Sequence, residues 1–122
     1  MTYMVIVEGD AGGWSVDRKA LTEVICARWA KVVVDSTHHS EVRSFLWELE
    51  TENGPGEAYL HEDGTALYMD VCQEDAIGLA AAFRRLTPGN LDLIFCDEGY
   101  TFDVRLSAGA TETELTDLVN AA

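Results

Sequence analysis

Residues 57 to 71 read EAYLHEDGTALYMDV, and this stretch decides the fold class. Two runs of alternating apolar and polar residues flank Asp63-Gly64, and this dipeptide between such runs predicts a hairpin with a two-residue type I′ turn. The turn sets the cross-strand pairs, which are Leu60 with Leu67, Tyr59 with Tyr68, Ala58 with Met69 and Glu57 with Asp70. The apolar pairs then share one face, as a half-buried antiparallel sheet requires.

Outward from this hairpin, short strand patterns alternate with helical ones. Short β-branched or alternating runs predict the strands, and apolar residues at helical spacing predict the helices. The predicted strands are 3–8, 32–34, 43–50, 57–62, 65–71, 91–96 and 101–106, and the predicted helices are 17–29, 73–86 and a short closing helix. The closing helix begins at the capping box formed by Thr111 and Glu114.

Two connections between strands are predicted from turn chemistry. The sequence Asn53-Gly54-Pro55-Gly56 predicts a loop, because proline lacks a ladder donor and glycine favours turns. Residues 97–100 (Asp-Glu-Gly-Tyr) predict a four-residue hairpin loop. That loop pairs Phe95 with Phe102, Leu93 with Val104, Leu91 with Leu106 and Asp92 with Arg105.

The order of elements, β-α-β-β-β-β-α-β-β-α, predicts an α+β fold. We expect a single domain over residues 1–122, with one largely antiparallel sheet of about six strands and the helices packed mainly on one face. A chain of this length is the usual size for one domain with one hydrophobic core. We find no internal repeat, no low-complexity run and no domain boundary.

The charge of the chain is large and unevenly placed. The net charge is -14, and no lysine or arginine occurs from residue 44 to residue 83, a stretch that contains nine acids. Residues 1–43 hold six acids and five bases, whereas residues 44–122 hold sixteen acids and three bases. Such a field repels nucleic acid and anionic membranes and attracts cationic partners. We therefore expect neither nucleic acid nor membrane as a partner.

The cysteines and the N-terminus indicate a location in the cytoplasm. Cys26, Cys72 and Cys96 are odd in number and widely separated, which is typical of small buried side chains in a reducing compartment. The N-terminal residues have neither the positive flank nor the long apolar run of a secretory signal. No apolar run approaches the length needed to cross a bilayer.

No catalytic motif is present, and we assign no catalytic residues and no cofactor. No serine lies in a nucleophile elbow and no cysteine has a histidine and an acid placed by motif. One alternative remains open, a divalent-metal or small-molecule site, with or without catalysis, formed by Glu57, His61 and Asp70. These residue types suit a hard or borderline metal.

The leading hypothesis is a non-enzymatic domain that binds a basic protein through its acidic sheet face and loops. Tyrosines amid carboxylates combine flat anchors with complementary charge. The candidate binding residues are Glu48, Glu50, Glu57, Tyr59, Tyr68, Asp70, Asp97, Glu98 and Tyr100. The concrete version is an inhibitor or immunity-type protein for a basic, nuclease-like toxin. A second alternative is a homodimeric structural module joined through Leu46, Tyr59 and Tyr68.

Overall fold

The computed structural model describes residues 1–122 and confirms the α+β class, with three helices packed against one sheet. The strands are β1 (Tyr3–Val7), β2 (Val32–Asp35), β3 (Phe45–Thr51), β4 (Gly54–Leu60), β5 (Ala66–Asp70), β6 (Leu93–Asp97) and β7 (Asp103–Leu106). The helices are α1 (Arg18–Arg28), α2 (Gln73–Leu86) and α3 (Glu112–Ala121). Their order along the chain is the predicted one.

The sheet has seven strands rather than about six, in the spatial order β2-β3-β4-β5-β1-β6-β7, and it is open at both edges. Every neighbouring pair is antiparallel. The N-terminal strand β1 lies between β5 and β6, so the chain returns to its beginning to complete the sheet. This insertion brings residues near position 2 beside residues near positions 70 and 98.

All three helices pack on one face of the sheet. Helix α2 contacts β1 and β5, while α1 contacts β2 and α3 contacts β7. The core joins Phe83 of α2 to Trp47, Val5 and Phe95 of the sheet, all fully buried. Burial of large apolar side chains on one side of each strand is the main favourable contribution to folding. We call the opposite side, which no helix covers, the outer face.

The helix ends follow the expected capping chemistry. The Asp17 carboxylate accepts hydrogen bonds from the backbone N–H groups of Lys19 (2.9 Å) and Ala20 (3.1 Å) at the start of α1. Thr111 accepts from the N–H of Glu114 at 3.2 Å, as the predicted capping box requires. These bonds satisfy donors that the first helical turn leaves free.

The pairs predicted for the 57–71 hairpin are confirmed, but its turn is not the predicted type I′. Glu57 lies opposite Asp70 and Tyr59 opposite Tyr68. A type I′ turn needs positive φ at both central residues, whereas only Gly64, at φ +70°, has it. The N–H of Gly64 donates to the carbonyl of His61 at 2.8 Å, so the turn spans 61–64 and keeps the same register.

The predicted loop at residues 53–56 is wrong, because β4 begins at Gly54 and pairs Pro55 with Glu50 of β3. Proline is tolerated there because β5 ends at Asp70, opposite Glu57, and leaves no strand beside Pro55 on that side. The actual turn is the short link from Thr51 to Gly54, and Gly54 adopts φ +109°.

Gly56 packs so closely that we expect Gly56→Ala to destabilise the domain by about 1–3 kcal/mol. A Cβ at this position would lie 2.6 Å from Cγ1 of Val71 and 2.9 Å from the carbonyl oxygen of Asp70. Denaturant unfolding measures the loss. Gly89→Ala is the control, since its Cβ would lie an ordinary 3.5 Å from Ala108; equal stability of the two variants would contradict the prediction.

The predicted register of the second hairpin is wrong by two residues. Phe95 lies opposite Val104 rather than Phe102, and Leu93 lies opposite Leu106 rather than Val104. Strand β6 continues to Asp97, whose carboxylate accepts from the N–H of Thr101 at 2.8 Å and from its hydroxyl. This bonding holds a wider loop than the predicted four residues. A shift of two keeps every side chain on its predicted face.

Candidate functional site

The candidate site is a row of carboxylates that crosses the outer face. Glu48 of β3 lies opposite Glu57 of β4, and Glu57 lies opposite Asp70 of β5. We call these three residues the acidic row. Like charges in directly opposed positions destabilise a sheet unless something offsets their repulsion. The row therefore concentrates negative charge on three adjacent strands of the face.

Strand β1 extends the row beyond β5. Tyr3 pairs with Met69 on one side and with Asp97 on the other, which places Thr2 between Asp70 and Glu98. The Thr2 hydroxyl donates to the Asp70 carboxylate, and the Thr2 backbone N–H donates to Oε1 of Glu98 at 3.2 Å. The candidate Glu98 thus lies at the end of the same row as Glu48.

Arg43 is the only cation that forms an ion pair with the row. Its Nη2 donates to Oε1 of Glu57 at 2.9 Å, and its guanidinium carbon lies 4.4 Å from the centre of the Tyr59 ring. The hydrogen bond to Glu57 raises the pKa of Arg43. Cation–π contact of this kind fixes both the arginine and the ring. Glu48 and Asp70 form no ion pair.

The two candidate tyrosines stack next to the row. Their ring centres are 5.3 Å apart and the planes differ by 9°. Burial raises the pKa of both Tyr59 and Tyr68, and the nearby Asp70 raises that of Tyr59 further. Tyr59 is only 9% exposed beneath Arg43, whereas Tyr68 is half-buried. Tyr68 is therefore the more accessible of the two anchors.

Four of the candidate acids line one groove of about 800 Å³ on the outer face. These are Glu48, Glu50, Glu57 and Asp70. Its other wall includes Lys31 and Val33 of the β2 edge, together with Pro55. Glu48 and Glu50 are exposed and form no hydrogen bond or ion pair through their side chains. These two carboxylates are free to meet an incoming cation.

The candidate residues at the end of β6 and in the loop after it comprise one buried structural residue, Asp97, and two accessible ones. Asp97, a candidate binding residue, is 2% exposed and its carboxylate is occupied by bonds to Thr101, so it is not available at the surface. Tyr100 is 68% exposed and adopts φ +51°, a conformation uncommon outside glycine. Glu98 and Tyr100 therefore remain as candidates at this end of the face.

The structure does not assemble the metal site considered from the sequence. Glu57 and Asp70 face each other, but His61 lies just beyond the end of β4, four residues from Glu57, a separation of about 13 Å in extended chain. His61 is bonded instead to Oε1 of Glu41 at 3.2 Å. No group of three side chains in the chain has the spacing of a metal site.

The other two histidines, His38 and His39, belong to the loop that follows β2, residues 36–44, and bond to carboxylates beside it. Nε2 of His38 lies 2.9 Å from Oε2 of Glu62, and Nε2 of His39 lies 2.9 Å from Oδ2 of Asp35. The bond from His39, helped by the N–H of Thr37, lowers the pKa of Asp35 to about 2. This loop contains Arg43, so its position affects the acidic row.

We expect the Asp35 carboxyl to titrate at about pH 2, below its ordinary value of 3.8. Because the folded-state pKa is lowered, the contact with His39 favours the folded state above the ordinary value and is lost as the pH falls through 2. Carbon-detected NMR titration measures the midpoint. His39→Ala should raise it and His38→Ala should not; an unchanged midpoint in His39→Ala would refute the assignment.

Sequence reasoning missed two members of the site. Thr2 joins it only because β1 inserts between β5 and β6, and no local pattern signals that insertion. Arg43 joins it because the 36–44 loop folds back along β4, where the Ser44 N–H donates to the carbonyl of Leu60 at 3.1 Å. The one signal available in the sequence is that Arg43 is the last base before the acidic stretch, residues 44–83.

Comparisons of the chain with protein-family models, with curated proteins and with solved structures give no match in any of the three searches. The class defined by the fold and the site is therefore an α+β domain with an acidic outer sheet face. None of its helices has the length and apolar character that a membrane crossing would need.

Proposed function

We propose that the domain binds a basic protein through its outer face, without catalysis. The observation that supports this is the acidic row, in which three carboxylates on adjacent strands oppose one another with a single paired arginine. Lysine and arginine side chains of a partner would offset that repulsion. Binding a cationic ligand would thus relieve a repulsion that is already present in the free protein.

The shape of the face suits a protein partner. The groove beside Glu48 and Glu50 is open and shallow, with charged and apolar walls, unlike the enclosed apolar pockets that hold small molecules. The half-buried Tyr68 and the exposed Tyr100 supply aromatic contact area near the acids. Tyrosine is enriched in the centres of protein interfaces, with charged groups at the rim.

The concrete form of the proposal is an inhibitor or immunity-type protein that covers the basic groove of a nuclease-like toxin. A nuclease must present cations to bind phosphates. A row of carboxylates at strand spacing could occupy those cations in place of the phosphates. We propose a cytoplasmic location for this activity. All three cysteines are free thiols, which agrees with a reducing compartment, although only Cys96 is buried as predicted, while Cys72 is half-buried and Cys26 is exposed.

We expect Glu48→Lys/Glu50→Lys to weaken partner binding at least tenfold, mostly through slower association. Both side chains are exposed and unpaired, so the reversal leaves the fold intact. The measurement is affinity capture from lysate of the native host, followed by association kinetics of the captured basic protein at low and physiological salt.

The matched control is Glu23→Lys/Asp117→Lys, which makes the same change in net charge on exposed positions of α1 and α3. Loss of binding in the sheet variant alone would support the outer face as the site. Equal loss in both variants would show a response to net charge only, and unchanged binding in the sheet variant would refute the proposal.

A further inference from the structure

The two edges of the sheet are not equally protected against pairing with another chain. On β7 the exposed side chains are the charged Asp103 and Arg105, and the Leu106 carbonyl accepts a hydrogen bond from Arg84. Strand β2 reads Val-Val-Val-Asp, with Val33 61% and Val34 43% exposed. Proteins usually shield a sheet edge with charge, and an uncovered apolar edge strand is a site for strand pairing.

The register of β2 shows which backbone groups are available at this edge. The N–H of Glu50 donates to the carbonyl of Lys31 at 3.2 Å, which makes Lys31 and Glu50 a hydrogen-bonded pair. Hydrogen-bonded and non-bonded pairs alternate along an antiparallel ladder. Val32 and Val34 therefore direct their N–H and C=O groups away from β3, where no other backbone group of the chain meets them.

We propose that β2 pairs with β2 of a second copy of this chain, antiparallel and about a two-fold axis at Val33. The outward groups of Val32 then bond to those of Val34 in the other copy, giving about four backbone hydrogen bonds across the axis. The two Val33 side chains meet at the axis on the outer face. This register is the one in which the outward backbone groups of both copies pair symmetrically about Val33.

Charge complementarity supports a second copy as the occupant. The same register places Lys31 of each chain opposite Asp35 of the other, on the outer face, and opposite charges in facing positions stabilise a strand pair. Lys31 forms no ion pair within its own chain, and Asp35 contacts His39 through Oδ2 but keeps its side chain 38% exposed. The edge strand is thus self-complementary in both backbone and charge, as a two-fold interface requires.

The net charge of the chain opposes this dimer only weakly at physiological salt. The nearest acids of the acidic row, the two Glu48 residues, would be separated by three strand spacings, about 14 Å. That distance exceeds the Debye length of about 8 Å, so their repulsion is largely screened. A two-fold axis normal to the sheet keeps both outer faces on one side, which would give a partner one continuous acidic surface.

Sedimentation velocity over a range of concentrations at physiological salt tests the proposal by exchange of charge. We expect the wild-type chain to dimerise, and Lys31→Asp and Asp35→Lys each to weaken the dimer at least tenfold. An equimolar mixture of the two variants should dimerise again, because each supplies the charge that the other needs. Lys19→Asp and Asp103→Lys are the matched controls and should behave as the wild type.

Val34→Pro tests the backbone component. The N–H of Val34 points away from β3, so proline removes no bond within the chain but blocks the edge. We expect the Val34→Pro variant to be a monomer whose melting curve at low concentration matches that of the wild type. In the wild type, the amides of Val32 and Val34 should become protected from exchange as concentration rises. A wild-type chain that stays monomeric up to about 1 mM would overturn the proposal. So would a dimer that survives Val34→Pro and both charge variants.

Discussion

Replacing Arg84 with methionine is expected to lower the free energy of unfolding by about 3–5 kcal/mol, because it leaves several buried carbonyls without a hydrogen-bond donor. Arg84 is 2% exposed and faces no carboxylate within ion-pair distance. Its guanidinium donates instead to four backbone carbonyls at the end of α2 and near it, those of Leu91, Leu106, Thr87 and Pro88, at 2.6–3.4 Å.

Those carbonyls explain the size of the effect. Thr87 and Pro88 follow α2, Leu91 precedes β6 and Leu106 is the last residue of β7, so one side chain joins three segments. Methionine fills a similar volume but leaves the carbonyls buried without donors, and each unsatisfied group costs about 1–3 kcal/mol. Burial lowers the pKa of Arg84, although arginine remains protonated at neutral pH.

The neighbouring Arg85 provides the control, because it has the same charge in the same helix turn but is exposed. Arg85→Met should change the stability by less than about 0.5 kcal/mol, as surface substitutions usually do. Thermal unfolding followed by circular dichroism compares the two, and we expect the melting temperature of the Arg84 variant to fall by roughly 10–20 °C. Similar melting temperatures for both variants would contradict this role for Arg84.

Trp47→Ala is expected to destabilise the domain by a similar amount, about 3–5 kcal/mol. Trp47 is fully buried between β2 and β4, and its ring centre lies 4.9 Å from that of Phe45. Its indole N–H donates to the hydroxyl of Thr22 in α1 at 2.9 Å. The substitution therefore opens a cavity and separates α1 from the sheet.

Thr22→Val separates the two contributions of Trp47. It removes the acceptor and keeps the packing, so the expected loss of about 1–3 kcal/mol comes mainly from the unpaired indole N–H, since the hydroxyl's own bond to the Arg18 carbonyl is exposed. Denaturant unfolding measures both variants. If Trp47→Ala cost no more than Thr22→Val, the proposed packing role of the indole would be wrong.

The acidic row shows which part of the candidate site can be predicted from the sequence. The opposition of Glu57 and Asp70 followed from the Asp63-Gly64 hairpin alone, and the structure confirms it. The position of Glu48 opposite Glu57 does not follow from the sequence, because the NGPG segment predicts a loop, whereas β4 begins within it. A proline in a strand is acceptable only where a neighbour is missing, and that is a property of the whole sheet.

The sequence by itself determined the elements, because hydrophobic periodicity, turn dipeptides and capping residues act over a few neighbouring positions. It also determined the acidity of residues 44–83, which composition states directly. Only the tertiary structure decided that Thr2 and Glu98 complete the acidic row, that Asp97 is buried, and that Arg84 joins α2 to β7. The first two of these outcomes depend on β1 entering the sheet between β5 and β6. Strands some sixty to ninety residues apart pair because together they bury one shared core, and this burial cannot be predicted from any short stretch of sequence.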